Sequence, residues 1–337
     1  MTRKDGSLVP DADFRSYYGR QVIKTPVWKQ PDVPVYLFVG GIAGASAILA
    51  EGAALAGLPT LQRTTRVAAA SAVAVGTVAL VHDLGRPSRF LNMLRVFKPT
   101  SPLSVGSWIL APFGGLSAAA AASEVTGIAR PLGRLAGVGA AVLGAPLATY
   151  TAALLSDTAV PAWHEAYREL PFLFAGSASA AAGGLAMVMT PAAEAGPARR
   201  LAVAGVALDL AAERRMEHRL GMLAEPYQEG RPGRFLRAAR ALNLAGAAGT
   251  VLGGRSRTAA ALSGTALMGA SLLTRFAVFQ AGLASAKDPK YTVVPQRARV
   301  DARRSSAAGA HIGSGDSSEV GPGVGSQVAS DVAAPAG

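Results

Sequence analysis

Long apolar runs separated by short polar segments dominate the chain from about residue 34 to residue 286. A helix needs about 20 predominantly apolar residues to cross a hydrocarbon core about 30 Å thick. Runs of this kind lie near residues 34–57, 66–83, 104–123, 132–156, 170–190, 200–216, 236–253 and 258–285. The pattern therefore predicts an all-α integral membrane protein, a bundle of about eight transmembrane helices over residues 34–286.

Two flanking segments break this pattern. Residues 1–33 are mixed and polar, and their interleaved aromatic and cationic side chains predict a peripheral segment at the lipid headgroups or against a partner. Residues 287–337 are rich in Ser, Gly, Ala and Asp, which predicts a disordered tail. Within the sixth run, Asp209, Glu213 and Arg214 predict that its second half leaves the bilayer as an amphipathic helix.

The small residues indicate how the helices pack. The chain has 39 glycines and only 16% charged residues, and small side chains let membrane helices approach closely. GxxxG spacing occurs at Gly40 and Gly44, at residues 133 and 137, and at residues 249 and 253. We expect these pairs to serve packing within one bundle. No sequence repeat is evident, although a composition this biased would hide a four-plus-four arrangement.

The distribution of cations predicts the orientation of the chain. An even number of spans places both termini on one side, and that side carries 24 of the 33 Lys and Arg residues, against 8 in the opposite loops and Arg275 inside a span. Positive charge is concentrated in cytoplasmic loops. We therefore expect a multi-pass protein of the plasma membrane with both termini cytoplasmic. The net charge of +12 then reflects topology and attraction to anionic membrane lipid, and no nucleic-acid-binding motif accompanies it.

The cysteine and histidine counts restrict the redox chemistry. Without cysteine the chain cannot ligate an iron-sulfur cluster through thiolates. Of four histidines, His311 lies in the tail and the others lie near the predicted cytoplasmic edge, which is the wrong placement for a bis-histidine haem. We expect neither a haem nor an iron-sulfur cluster in this chain, and no metal site.

Polar side chains gather where the second span ends. Asp83 and Arg86 lie three residues apart, so their side chains share a helix face and can pair, and Pro87 follows. His82 adds a group that titrates near neutral pH. These residues fit a binding site for a polar headgroup, and a structural helix cap is the alternative.

A second polar group is predicted at the end of the fourth span. Tyr150 could donate its phenolic hydrogen to a ligand oxygen or belong to an interfacial aromatic belt. Asp157 and His164 flank the same mouth and are candidate proton-handling groups.

Three charged residues lie well away from the ends of the predicted spans, and each costs about 2.5 to 3.5 kcal/mol on insertion scales. They are Glu51, Asp209 and Arg275. Side chains of this kind should face the bundle interior, where they could form a proton path, with Glu51 as a proton-handling group, or ion pairs that orient the helices.

Two sequence blocks resemble the NrfD/PsrC family of quinone-reactive membrane subunits. The first runs His-Asp-Leu-Gly-Arg-Pro-Ser-Arg-Phe from His82 and continues as Ser-Pro-x-Ser-x-Gly-x-Trp from Ser101 to Trp108. The second begins with Tyr150-Thr151 and extends to Phe174. The resemblance covers spans one to five and implies that Tyr150 contacts quinone, with His82, Asp83 and Arg86 around the headgroup. The start of span one lacks the histidine that some relatives use there.

The same resemblance implies a function. Such a chain is a quinone-binding membrane anchor of a respiratory oxidoreductase, using menaquinone or ubiquinone, and is not an enzyme by itself. It passes electrons to or from a four-cluster ferredoxin-like iron-sulfur subunit, which joins a molybdopterin-type catalytic subunit. The cations available to dock an acidic partner surface are Arg89, Arg95 and Lys98.

The alternative hypothesis is a secondary transporter or another proton-translocating membrane protein. It would be built around Glu51, Asp209 and Arg275, with Pro146 interrupting span four.

Overall fold

The computed structural model describes residues 22–85, 88–253 and 256–313, and within these ranges the chain is helical with no β-strand. The α-helices of these ranges are α1 (Asp32–Leu55), α2 (Pro59–Leu84), α3 (Ser88–Met93), α4 (Pro102–Thr126), α5 (Arg130–Ser156), α6 (Pro161–Glu165), α7 (Leu170–Met189), α8 (Gly196–Leu220), α9 (Glu225–Gln228), α10 (Gly230–Leu252), α11 (Arg257–Lys287) and α12 (Lys290–Gly313). A short 3-10 helix, Gly221–Ala224, connects α8 to α9.

The predicted all-α membrane bundle is confirmed. All eight predicted spans are helices, and six helices of the described chain are long and apolar enough to cross a membrane: α1, α2, α4, α5, α7 and α11. The other two predicted spans are α8 and α10, which carry more charged side chains. Their charged faces must therefore be covered by neighbouring helices or by water.

Eight of the long helices in the described chain form two groups of four. In the first group, α1 packs against α2 and α5, and α4 packs against the same two helices. In the second group, α7 packs against α8 and α11, and α10 packs against the same two helices. The groups meet where α1 contacts α7, and each of these helices also contacts the fourth helix of the other group. This is the four-plus-four arrangement that the composition conceals.

Glycine pairs stand at equivalent crossings in the two groups. Gly44 of α1 meets Gly144 of α5, and Gly184 of α7 meets Gly264 of α11, each so closely that a Cβ would overlap the partner's backbone. Glycine is therefore required at these positions to bring the backbones together. Gly44 belongs to one of the GxxxG pairs, and its contact lies inside the bundle.

The described part of the N-terminal segment packs on the bundle. The Trp28 ring stacks on Trp163 with 5.6 Å between centroids and lies 6.5 Å from Phe279. Residues 1–21 of the predicted peripheral segment lie outside the described residues.

The prediction for the tail differs from the structure over α12. The sequence predicts disorder from residue 287, whereas Lys290–Gly313 is helical. Ala and Arg are frequent there, and their helix propensity supports a helix. Residues 314–337 lie outside the described range. The chain divides into two units, one ending at Thr292 and the other beginning at Val293.

Candidate functional site

A groove of about 580 Å³ opens where α5 ends and α7 begins. Three residues predicted as site residues line it together: Tyr150, Asp157 and His164. Its apolar walls are Pro99, Pro102, Val105, Ala153 and Pro171. A slot of this kind, with apolar walls and a few convergent polar groups, suits a small amphipathic ligand.

Tyr150 is held in the groove by a glycine of the neighbouring helix. Its half-buried ring lies against Gly106 of α4, where a Cβ would overlap the ring. No hydrogen bond joins the phenol to another residue of the described ranges. It is therefore available to donate its hydrogen to a ligand.

The Ser-Pro-x-Ser-x-Gly-x-Trp motif shapes the groove wall. The Ser104 hydroxyl accepts a hydrogen bond from Lys98 N at 3.0 Å and donates to Val96 O at 3.2 Å. The Trp108 ring meets Phe97 edge-on at 5.9 Å. Both contacts fold the preceding loop back onto α4, which places Pro99 and Pro102 in the wall.

His164 stands on α6 with one ring nitrogen engaged. Its Nδ1 lies 3.0 Å from Ser156 O. A carbonyl oxygen can only accept, so Nδ1 carries the hydrogen and Nε2 of the neutral ring is a free acceptor. The side chain is exposed, as is that of Asp157. This tautomer is suited to take a proton from a ligand hydroxyl.

The short helix that carries His164 is anchored deep in the bundle. Trp163 is fully buried and its Nε1 donates to Val278 O at 2.7 Å. The backbone of Ala162 is held on both sides, since its N donates to Ser285 Oγ at 3.2 Å and its O accepts from Tyr227 OH at 2.9 Å. Burial raises the pKa of the Tyr227 phenol, which keeps it a neutral donor.

An ion pair fixes the segment after α6. Glu169 is buried, and Arg219 donates to it twice, from Nε to Oε1 at 2.7 Å and from Nη2 to Oε2 at 2.6 Å. Arg219 Nη2 also donates to Glu165 O. The pair ties the start of α7 to the end of α8. Sequence reasoning missed it, although a glutamate directly before an apolar run is a usable signal.

His82 and Asp83 lie at a different place from Tyr150. Asp83 accepts a hydrogen bond from Lys29 N at 2.9 Å, and His82 Nδ1 lies 2.7 Å from Asp32 Oδ2. His82 lines a groove of about 460 Å³ that shares no lining residue with the Tyr150 groove. The N-terminal segment crosses the end of α2, so these side chains bind that segment. Arg86, the predicted partner of Asp83, lies outside the described residues.

The predicted docking cations are accessible. Arg89, Arg95 and Lys98 are all exposed, in and after α3. Arg89 Nη1 donates to Leu84 O at 3.1 Å. The surface they form borders the loop that walls the Tyr150 groove.

The charged residues inside the spans fall into two clusters. Glu51 lies near the opposite end of the first group, 2.6 Å from the buried Arg66, which also reaches Glu124 at 2.9 Å. Asp209 and Arg275 lie in the second group. Arg66 stands at the edge of the second predicted span, and its partners come from two other helices, α1 and α4, so the sequence alone does not reveal this cluster. Glu51 therefore belongs to a different cluster from Asp209 and Arg275.

Comparison with protein families gives one result that bears on this groove. A family model described as polysulphide reductase, NrfD matches residues 21–204. Comparison with curated proteins gives no match. The matched region contains α1 to α7, and with them the Tyr150 groove and both sequence blocks. Because the match extends over more than half of the chain, the protein belongs to the NrfD polysulphide reductase family.

Proposed function

We propose that this chain is the quinone-binding membrane anchor subunit of a respiratory oxidoreductase, and that the Tyr150 groove receives the quinone headgroup. Membership of the NrfD family supports the general role, a membrane subunit of a quinone-linked oxidoreductase. The observation that carries the site is the meeting of Tyr150, Asp157 and His164 in one groove with apolar walls.

The groove chemistry fits a quinone. A bound quinone supplies two-electron, two-proton chemistry. The Tyr150 phenol is placed to donate a hydrogen bond to a headgroup oxygen, and His164 Nε2 is placed to accept a hydroxyl proton. Asp157, exposed at the mouth, passes protons between His164 and water. The proline and alanine walls exclude water from the ring.

Electrons must come from outside this chain, because it contains no cysteine for a cluster. We assign them to a four-cluster ferredoxin-like subunit that docks on Arg89, Arg95 and Lys98 and joins a molybdopterin-type catalytic subunit. The exposed cations favour an acidic partner surface. The excess of cations on the side of the termini favours a plasma-membrane protein with this face in the cytoplasm. Menaquinone and ubiquinone fit equally.

Tyr150→Phe tests the site, because it removes the hydroxyl and keeps the ring against Gly106. In the assembled complex in liposomes, quinol-linked turnover should fall about 10- to 100-fold, since one group that stabilises charge in a reaction contributes on this scale.

Thr149→Val is the matched control, since Thr149 precedes Tyr150 and its hydroxyl donates only within α5, to Ala145 O at 2.9 Å. Turnover of Y150F equal to that of T149V would exclude the groove as the quinone site.

A further inference from the structure

Two buried charged residues in the second helix group, Asp209 and Arg275, have three polar atoms without partners in the described chain. Asp209 is 2% exposed and Arg275 is 0% exposed. Asp209 Oδ2 accepts from Asn243 Nδ2 at 2.5 Å, but Asp209 Oδ1 and Arg275 Nε and Nη1 have no hydrogen-bond partner in the described chain. Buried polar atoms nearly always have a partner, and ordered water is the usual one where protein supplies none. The three atoms therefore point to internal water.

Acidic side chains lead from this pair to the protein surface. Asp209, Glu213 and Glu217 are spaced four residues apart on α8 and so share one face. Across from them on α10, Arg240 Nη2 donates to both glutamates at 2.8 Å. Asn243, one turn further along α10, faces Asp209. The result is a continuous column of polar groups between two helices.

The column is open at one end. A groove of about 400 Å³ beside Glu213, Glu217 and His218 connects it to the surface. This end lies on the same side of the bundle as the Tyr150 groove, because Arg219 bonds to Glu169 there.

The other end is closed by apolar packing. One turn beyond Arg275 on α11, the hydroxyls of Ser271 and Ser177 are hydrogen-bonded to each other at 2.8 Å. Beyond them, an apolar cluster includes Val206, Met187 and Leu267, all buried. Water that enters from the open end therefore stops at Asp209 and Arg275.

We propose that this column is a hydrated proton half-channel that loads Asp209 from the surface beside Glu217 and His218. A hydronium ion gives up a proton at the mouth and leaves water. The proton then moves between carboxylates and water, each O–H bond that breaks being replaced by one that forms, until Asp209 is a neutral acid. No residue of the column lines the Tyr150 groove, so this activity goes beyond the proposed quinone site.

The charges around Asp209 fit this role. The charged groups that interact with it are Glu213 on its own helix and Arg275 on α11. On α10, Asn243 faces Asp209 while Arg240 bonds to Glu213, and α7 presents Gly176. The positive charge of Arg275 retains its contacts with Phe174 when Asp209 is neutral. Its Nη2 donates to Phe174 O at 3.0 Å, and its guanidinium lies 3.8 Å from the centre of the Phe174 ring.

Labelling with dicyclohexylcarbodiimide tests the proposal, because this apolar reagent modifies protonated carboxyl groups buried in membrane proteins. The intact complex is placed in one orientation in phosphatidylcholine and phosphatidylglycerol liposomes without quinol, the pH on each side is set separately, and labelled residues are identified by mass spectrometry. Asp209 should be labelled. The rate of labelling should fall as the pH rises on the Glu217 side and should not depend on the pH of the other side.

Variants make the outcome decisive. Glu213→Gln should slow the response of Asp209 labelling to a pH jump by roughly tenfold or more, because it removes one relay group. Glu229→Gln, an exposed carboxylate on the same side, should leave it unchanged. Assembly of each variant is checked by its retention in the purified complex. Labelling that follows the other side's pH, labelling independent of both, or equal behaviour of E213Q and E229Q would overturn the proposal.

Discussion

Replacing Gly106 with alanine tests whether the Tyr150 ring must occupy the space that α4 leaves open. A Cβ at position 106 would lie 2.6 Å from Tyr150 Cδ2 and 2.8 Å from Cζ, and would overlap Cε2. Because ordinary contact begins at 3.4 Å, Cδ2 alone must retreat by about 0.8 Å. Because the half-buried ring lines the groove, we expect it to move toward the groove.

Stability and activity should respond differently to this change. Overpacking costs about 1 to 3 kcal/mol, and alanine in place of glycine within a helix returns about 1 kcal/mol. The net loss in the free energy of unfolding is therefore about 0 to 2 kcal/mol. A displacement near 1 Å at a reacting group can lower a rate about 100-fold. We expect G106A to lose about 10- to 100-fold in quinol turnover and to remain folded.

Gly115, on the same helix, provides the control. A Cβ there meets no atom within 4 Å, so Gly115→Ala should keep full turnover and lose no stability. Quinol turnover of the assembled complex and thermal unfolding in detergent measure the two effects. If G106A turns over quinol as fast as G115A, the ring position does not matter and the assigned role of Tyr150 is wrong.

Two further predictions concern the supports of the bundle. The Glu194 carboxylate accepts a hydrogen bond from the Thr60 hydroxyl at 2.7 Å, which holds the pKa of Glu194 below the ordinary value. The contribution of this bond to stability is therefore present above the ordinary carboxyl range and lost as pH falls through the lowered pKa. The difference in unfolding temperature between wild type and Glu194→Gln should vanish in acid, and a difference that persists there would contradict this. Arg219→Met leaves the buried Glu169 carboxylate without its main partner and should cost about 3 to 5 kcal/mol in unfolding free energy. The double variant E169Q/R219M should recover a large part of that loss. Equal losses in the single and the double variant would show that the pair is not what holds the end of α8.

Three residues that line the Tyr150 groove could be grouped from the sequence. Tyr150, Asp157 and His164 could be assigned to one mouth because they lie where one span ends and the next begins, so the membrane boundary brings them to one depth. His82 and Asp83 share that depth, and the prediction that they lie beside Tyr150 came from depth alone. The structure gives them Lys29 and Asp32 as partners, residues of a segment whose path over the bundle no hydropathy pattern predicts.

The sequence by itself determined that this is a helical membrane protein. Within lipid every backbone N–H and C=O must find a partner inside the chain, so apolar runs of sufficient length have to be helices. Its two motif blocks also determined the family.

Only the tertiary structure decided which helix faces meet. Small residues surround each helix on several sides, so the sequence does not say that Gly44 meets Gly144, or that Arg66 draws together carboxylates from α1 and α4. Those contacts depend on the rotation of each helix about its axis. That rotation is set by close packing against several neighbours at once.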